Sequence, residues 1–221
     1  MDKYINQIIN ADCLDILKQL PDKCIDLVLT DPPYGIGESG RKNHTRSKMA
    51  ISKNYPAFTG NDEKPPDAGY FKELLRVSKN QIIWGANHFI SMIPYDSHCW
   101  IVWDKDNGNT DFADCELAWT SFNTAVRKFK YKWQGMLQEN MAAKEERIHP
   151  TQKPVALYTW LLNKYAKPGF KILDTHVGSA SSLIACYRAG LEYWGFETHK
   201  GYYQKATERL ETEKAQMRMT F

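Results

Sequence analysis

The stretch Ile25-Asp26-Leu27-Val28-Leu29-Thr30-Asp31-Pro32-Pro33-Tyr34 runs from a largely apolar segment into an acid, two prolines and an aromatic. Its first part has the length and composition of a buried strand. Each proline fixes its own φ and lacks an N–H, so the turn cannot close its usual backbone hydrogen bonds. Carbonyls are left free at the carboxyl edge of the sheet, where α/β proteins place ligands. A carboxylate, a free carbonyl and an aromatic face together suit a planar ring that bears an exocyclic NH2. Asp31 and the carbonyl of Pro32 can accept its two protons, and Tyr34 can stack on the ring. A nucleobase amine fits that description. A plain Pro-Pro turn after a strand fits the tetrapeptide as well, so other segments have to decide.

Such an amine is a poor nucleophile, because its lone pair is delocalised into the ring. Two acceptors holding its hydrogens favour a more tetrahedral nitrogen whose lone pair points at an electrophile, a gain from orientation and electrostatics. A second constellation lies downstream, in Lys171-Ile-Leu-Asp174-Thr-His-Val-Gly178-Ser179-Ala-Ser-Ser-Leu-Ile-Ala-Cys-Tyr-Arg-Ala-Gly190. It reads as a strand ending at Asp174, a small-residue turn, and a helix stopped by Gly190. The next strand, Glu192 to Phe196, ends at Glu197, an acid placed to hold ribose hydroxyls. The turn is not a G-x-G-x-x-G and no phosphate cradle with Lys-Ser/Thr follows, which favours a nucleoside cofactor without phosphates. A packing turn of an ordinary α/β domain is the alternative.

D-P-P-Y-G after its strand, preceded by Asn10-Ala11-Asp12-Cys13-Leu14 and Leu20-Pro21-Asp22, resembles the DNA amino-methyltransferases that use S-adenosylmethionine. So does Arg147-Ile-His149-Pro150-Thr151-Gln152-Lys153-Pro154, and the order of motifs is that of the permuted β class. The likeness runs from about residue 5 to 210 and is weak over 38–64 and 121–146. It implies a Rossmann-like α/β fold, a mostly parallel seven-stranded sheet with one reversed strand near an edge and helices on both faces. By this resemblance Asp31, Pro32, Pro33 and Tyr34 form the catalytic platform. Asp12 and the backbone of Cys13 would meet the cofactor's adenine, and Glu197 its ribose. Asp174, Gly178 and Ser179 would surround the methionine part, with Thr151 and Lys153 facing its carboxylate. The usual Asp-Pro-Phe-x-Gly-Ser-Gly turn is altered: Thr175-His176 replace Pro-Phe, and Ala180, a helix-favouring residue, replaces the last glycine. Asp in the first place of the tetrapeptide goes with adenine-N6 targets in this family and Ser with cytosine-N4. Cytosine, RNA and a non-catalytic DNA-binding relative stay open as alternatives.

At 221 residues, one catalytic domain over 1–221 is the natural count. A formal net charge of +3 is mild, so any basic surface for duplex DNA must be local. One candidate is a basic loop over about 37–60 with Arg41, Lys42, Arg46 and Lys48. Another is Val126 to Trp133, where alternation sets Lys128, Lys130 and Lys132 opposite Phe129, Tyr131 and Trp133. The first reads equally as a solvated loop, the second as an edge that lysines guard against aggregation. A short recognition region is expected over about 121–146. Five scattered cysteines without a C-x-x-C pair indicate neither a metal site nor a disulfide framework. The chain opens without a cleavable apolar segment and has no run of membrane-spanning length, so the cytoplasm is the expected compartment. A homodimer is one assembly open to it.

Helices are expected over 12–20, 67–77, 155–166 and 201–217, and strands over 25–30, 81–84, 99–103, 116–122 and 126–133, the last two as an antiparallel pair. Asn87 and His88 read as a structural polar pair, Trp100 and Trp103 as core.

Overall fold

A computed structural model describes residues 4–36, 64–108, 113–134 and 137–218. The basic residues Arg41, Lys42, Arg46 and Lys48 lie outside the described residues. Ten strands are described: β1 (Gln7–Ile9), β2 (Ile25–Thr30), β3 (Ser78–Trp84), β4 (Ile101–Asp104), β5 (Cys115–Thr120), β6 (Arg127–Lys130), β7 (Trp133–Gln134), β8 (Leu137–Gln138), β9 (Lys171–Asp174) and β10 (Glu192–Phe196). The helices are α1 (Cys13–Leu17), α2 (Ala68–Val77), α3 (Val155–Tyr165), α4 (Ser181–Arg188) and α5 (Lys200–Arg218).

Eight strands form one sheet in the order β1-β10-β9-β2-β3-β5-β4-β6, and β7 pairs with β8 in a separate hairpin. Every neighbouring pair is parallel except those made by β5, the one reversed strand. The mostly parallel sheet with one reversed strand therefore stands, with eight strands in place of seven because β6 extends the edge. The expected pairing of the segments 116–122 and 126–133 does not form: β4 lies between β5 and β6 and runs parallel to the latter.

Side-chain alternation explains why helices cover both faces. Leu27 and Leu29 point to one face with Ile82, Trp84 and Ile172, where α3, α4 and α5 pack. Val28, Ile83, Leu173 and Trp194 point to the other, against Leu17 of α1 and Tyr70, Phe71 and Leu74 of α2. Strands buried on both faces read as near-continuous apolar runs, as β2 does. Trp103 meets Trp84 edge-on in this core, at 6.4 Å between ring centroids.

The ends of the elements follow local chemistry. Asp12 caps α1, accepting from the Leu14 N–H at 2.9 Å, and Asp67 caps α2 through the Tyr70 N–H at 2.9 Å. Gly190, at φ +66°, closes α4 in a Schellman arrangement. There the Leu191 N–H reaches the Cys186 carbonyl at 3.0 Å and the Gly190 N–H that of Tyr187 at 3.1 Å. In the register of the parallel strands, Asp31, Thr175, Glu197 and Asn10 all leave the sheet at its carboxyl edge.

Candidate active site

The turn after β2 presents a buried cluster of charge. The Tyr34 hydroxyl donates to Asp31 Oδ1 at 2.7 Å. Asp31 Oδ2 accepts from the Lys153 ammonium, which also donates to the Tyr34 oxygen at 3.1 Å and pairs with Glu116 Oε2 at 2.9 Å. Glu116 Oε1 in turn takes Lys105. Asp31 is thus not the surface-facing residue its strand-end position suggests, because its side chain is only 14 % exposed. Burial lifts its carboxyl above the ordinary value, with Lys153 pulling against the rise and Glu116 adding to it. Burial opposes the charged form of Glu116 too, but Lys153 and Lys105 outweigh it and bring that carboxyl down to about 2.

Tyr34 is held from behind. The His88 ring stacks on it at 5.0 Å between centroids and 15° between planes. Gly85, at φ +68°, lies so close to the Tyr34 ring that a Cβ there would collide with it. His88, read from the sequence as part of a structural polar pair, thus packs directly on the Tyr34 ring. The sequence signal was its place just past the carboxyl end of β3, the strand beside β2.

Beside the platform a cavity of about 290 Å³ is lined by Asp12, Cys13, Leu14, Pro33, the segment 64–67, Tyr70, Thr175, His176 and the segment 196–198. This is near the lower end of small-molecule pockets, about 300–1,000 Å³. Another cavity of about 490 Å³ lies around Ile90, Tyr95 and Trp100 and contains none of these acids. Glu197 uses its two oxygens on backbone N–H groups, Gly178 at 3.0 Å and His199 at 2.8 Å. Burial raises its carboxyl above the ordinary value. The Asn10 side chain donates to the Glu197 carbonyl at 2.7 Å and ties the Asp12 turn to the end of β10.

His176 sits on this wall. Its Nδ1 lies 3.0 Å from the Thr175 hydroxyl, which is 2.7 Å from that of Thr30 and 2.6 Å from that of Tyr70. Burial pushes the His176 imidazole down to about 4, so it is neutral near pH 7. Asp174 lies behind the wall, 2 % exposed, accepting from the Ser182 hydroxyl and from the His176 N–H at 3.0 Å.

Gly178, Ser179 and Ala180 form the turn into α4, and Arg209 of α5 donates to the Ser179 carbonyl at 2.7 Å. Ala180 lies at φ +63°, outside the helix, so its helix propensity has no bearing on that position; it takes a backbone conformation natural to glycine. The H-P-T-Q-K-P segment folds over this turn. Its Gln152 is buried and accepts from the Ile148 N–H at 2.9 Å, while the His149 ring faces Gly178. Thr151 is exposed, its hydroxyl 3.1 Å from His149 Nδ1. Lys153 pairs with Asp31 and Glu116.

The strand edge keeps its alternation. Phe129 and Tyr131 stack at 5.6 Å, while Lys128, Lys130 and Lys132 face outward and pair with Asp104 and Asp106 at 3.3, 3.0 and 3.7 Å. Glu116 and Lys105 escaped the sequence reading. Glu116 sits on a strand of ordinary appearance, and only the pairing of β5 beside β3 brings it to Asp31.

A largely parallel sheet with an acid-lined cleft and a D-P-P-Y platform at its carboxyl edge defines a Rossmann-like methyltransferase architecture. A model of the DNA methylase family N6_N4_Mtase matches residues 77–208, more than half of the chain. The chain belongs to this family of DNA amino-methyltransferases. The type II methyltransferase M.HinfI of Haemophilus influenzae is 26% identical over 252 residues, covering 95% of this chain and 69% of that protein. The solved complex of M1.HpyAVI with SAM is similar at a TM-score of 0.60 and 23% identity, over 92% of this chain and 98% of that one. The cytosine-N4-specific PvuII DNA methyltransferase has a TM-score of 0.60 at 12% identity, over 95% of this chain and 90% of that one. These two structural likenesses concern the fold.

Proposed function

We propose that this protein transfers a methyl group from S-adenosylmethionine to the N6 amine of adenine in duplex DNA, acting on a base turned out of the helix. The observation that carries this reading is the Asp31 carboxylate, oriented by Tyr34 and placed beside an acid-lined cavity of nucleoside character. Asp31 and the carbonyl of Pro32 accept from the target amine, and Tyr34, with Pro33 setting the turn, shapes the slot for the base. Asp12, Cys13 and Glu197 line the cavity and suit the nucleoside part of the cofactor. Asp12 with the Cys13 backbone would hold its adenine, Glu197 its ribose, and Asp174, Gly178, Ser179 and Thr151 would flank its amino-acid end. When bound, S-adenosylmethionine supplies a methyl group made electrophilic by its sulfonium. The first-place Asp of the tetrapeptide supports adenine over cytosine. Lys128, Lys130 and Lys132 offer contacts to phosphate, with Arg41, Lys42, Arg46 and Lys48 as further candidates.

Modification-sensitive sequencing of DNA from cells that express the chain tests base and activity together. N6-methyladenine in a fixed sequence context is expected. N4-methylcytosine would overturn the choice of base, and unmodified DNA the activity. Asp31→Ala should lower single-turnover methyl transfer by roughly 100- to 1,000-fold, the usual loss for one oriented electrostatic group. Its affinity for S-adenosylmethionine, read by isothermal titration, should stay unchanged.

A further inference from the structure

Four charged side chains alternate in sign through the interior. Asp31 stands at the end of β2, Lys153 on the turn before α3, Glu116 on the reversed strand β5, and Lys105 just past β4. Lys153 is 4 % exposed, and its ammonium touches Asp31, Glu116 and the Tyr34 oxygen at once. A buried ammonium with three partners is a fixed part of the site.

The chemistry proposed above needs Asp31 in a narrow condition. A buried carboxyl without a counter-ion takes a proton, and as a donor it would oppose an amine that must donate to it. A carboxylate gripped by an ammonium with no other anion would be a weak acceptor for anything else. Lys153 lets Asp31 keep its charge, and Glu116, by sharing that ammonium, leaves Asp31 some of its capacity to accept. With Lys105 paired to Glu116 the four side chains are neutral in sum, and Asp31 is the anion of the cluster that faces the amine, where it favours the positive charge that grows on the nitrogen as it bonds to the methyl carbon.

We infer that Lys153 and Glu116 are positioning residues that set the ionisation of the catalytic Asp31 from opposite sides, Lys153 holding it anionic and Glu116 keeping it free to accept from the target amine. This rests on the methyl-transfer reading. Among the described residues, the other titratable groups that bear on Asp31 are Tyr34, Tyr158 on α3 and Asp174 on β9, with Lys105 behind Glu116. Of these groups, Lys153 and Glu116 pull on it with opposite sign from a shared contact.

The test measures single-turnover transfer of tritiated methyl groups to long unmethylated duplex DNA across pH, for wild type, Lys153→Met, Lys153→Arg and Glu116→Gln. The active form of Asp31 is the anion, so activity is lost as pH falls through its pKa. Lys153→Met should move that acid limb to higher pH by about one unit or more and cut the rate at neutral pH by roughly 100-fold, and Lys153→Arg should restore much of both. Glu116→Gln should move the limb the opposite way, to lower pH, with a slower plateau. Titration of the Asp31 carboxyl carbon by NMR in labelled protein reads the same shifts without DNA. Limbs and carbon shifts that stay put, or that move together in one direction, overturn the inference. So does a Lys153→Met protein that loses cofactor affinity with an unmoved limb, since Lys153 would then serve the cofactor. Should Lys153→Met not fold, Glu116→Gln and its NMR titration decide alone. Wild-type protein that modifies no DNA defeats the functional reading, while the NMR titration still judges the charge balance at Asp31.

Discussion

Tyr34 shows how little freedom a functional side chain keeps. Its ring is stacked by His88, its hydroxyl is fixed by Asp31 and Lys153, and Gly85 leaves the room for it. Gly85 is required twice over, by its φ of +68° and by the absent Cβ. Gly85→Ala should destabilise by about 2–4 kcal/mol, combining left-handed strain with overpacking. Urea unfolding reads that cost. The displaced Tyr34 ring should slow methyl transfer in the same variant, and an active, fully stable Gly85→Ala protein would show that the ring can shift freely.

At the scale of elements, caps and pairing set the geometry that the residues use. Gly190 is the useful contrast to Gly85, since its φ of +66° comes with open space around the missing Cβ. Gly190→Ala should therefore cost about 1 kcal/mol, from the backbone alone. The urea midpoint should fall with an unchanged slope, and methyl transfer should stay intact. The reversal of β5 has a larger consequence. It turns Glu116 toward the carboxyl end of β3 and supplies Asp31's neighbourhood with its second anion. On and just past β6, the pairing of Lys128, Lys130 and Lys132 with Asp104 and Asp106 means that a phosphate would have to compete with a carboxylate for each.

For the whole molecule, stability depends on pH through groups that the fold buries. Asp174 is pushed from 3.8 up to about 7, chiefly by burial. Between those values the folded protein keeps a proton that the unfolded chain has released. That contribution is fully present below the unfolded pKa and is lost as pH rises through the folded one. Asp174→Asn is neutral throughout and lacks this dependence. Its stability relative to wild type should improve by up to roughly 1.4 kcal/mol per pH unit across the window. Urea unfolding at several pH values measures the difference. His149 and His176, both held down to about 4 by burial, change stability in the opposite direction over part of the range. Both proteins carry them, so they cancel in the comparison.

The sequence by itself determined the elements and the ends of the site. Largely apolar runs marked β2 and β9, because strands buried on two faces need them. Prolines, Asp caps and Gly190 marked where chains turn, because those preferences act over a few residues. D-P-P-Y and Glu197 stood out as candidates for the same reason, each standing next to a strand end that announces itself, whereas Asp12 rested on the family resemblance and the strand before it, β1, was not expected. Tertiary structure alone decided the order of eight strands, the separation of β5 from β6, and the meeting of Asp31, Lys153, Glu116 and Lys105. Those four residues are separated by as many as 122 positions in the chain. No local preference encodes their contact. It follows from which strand lies beside which, and from the need of each buried charge for a partner of opposite sign.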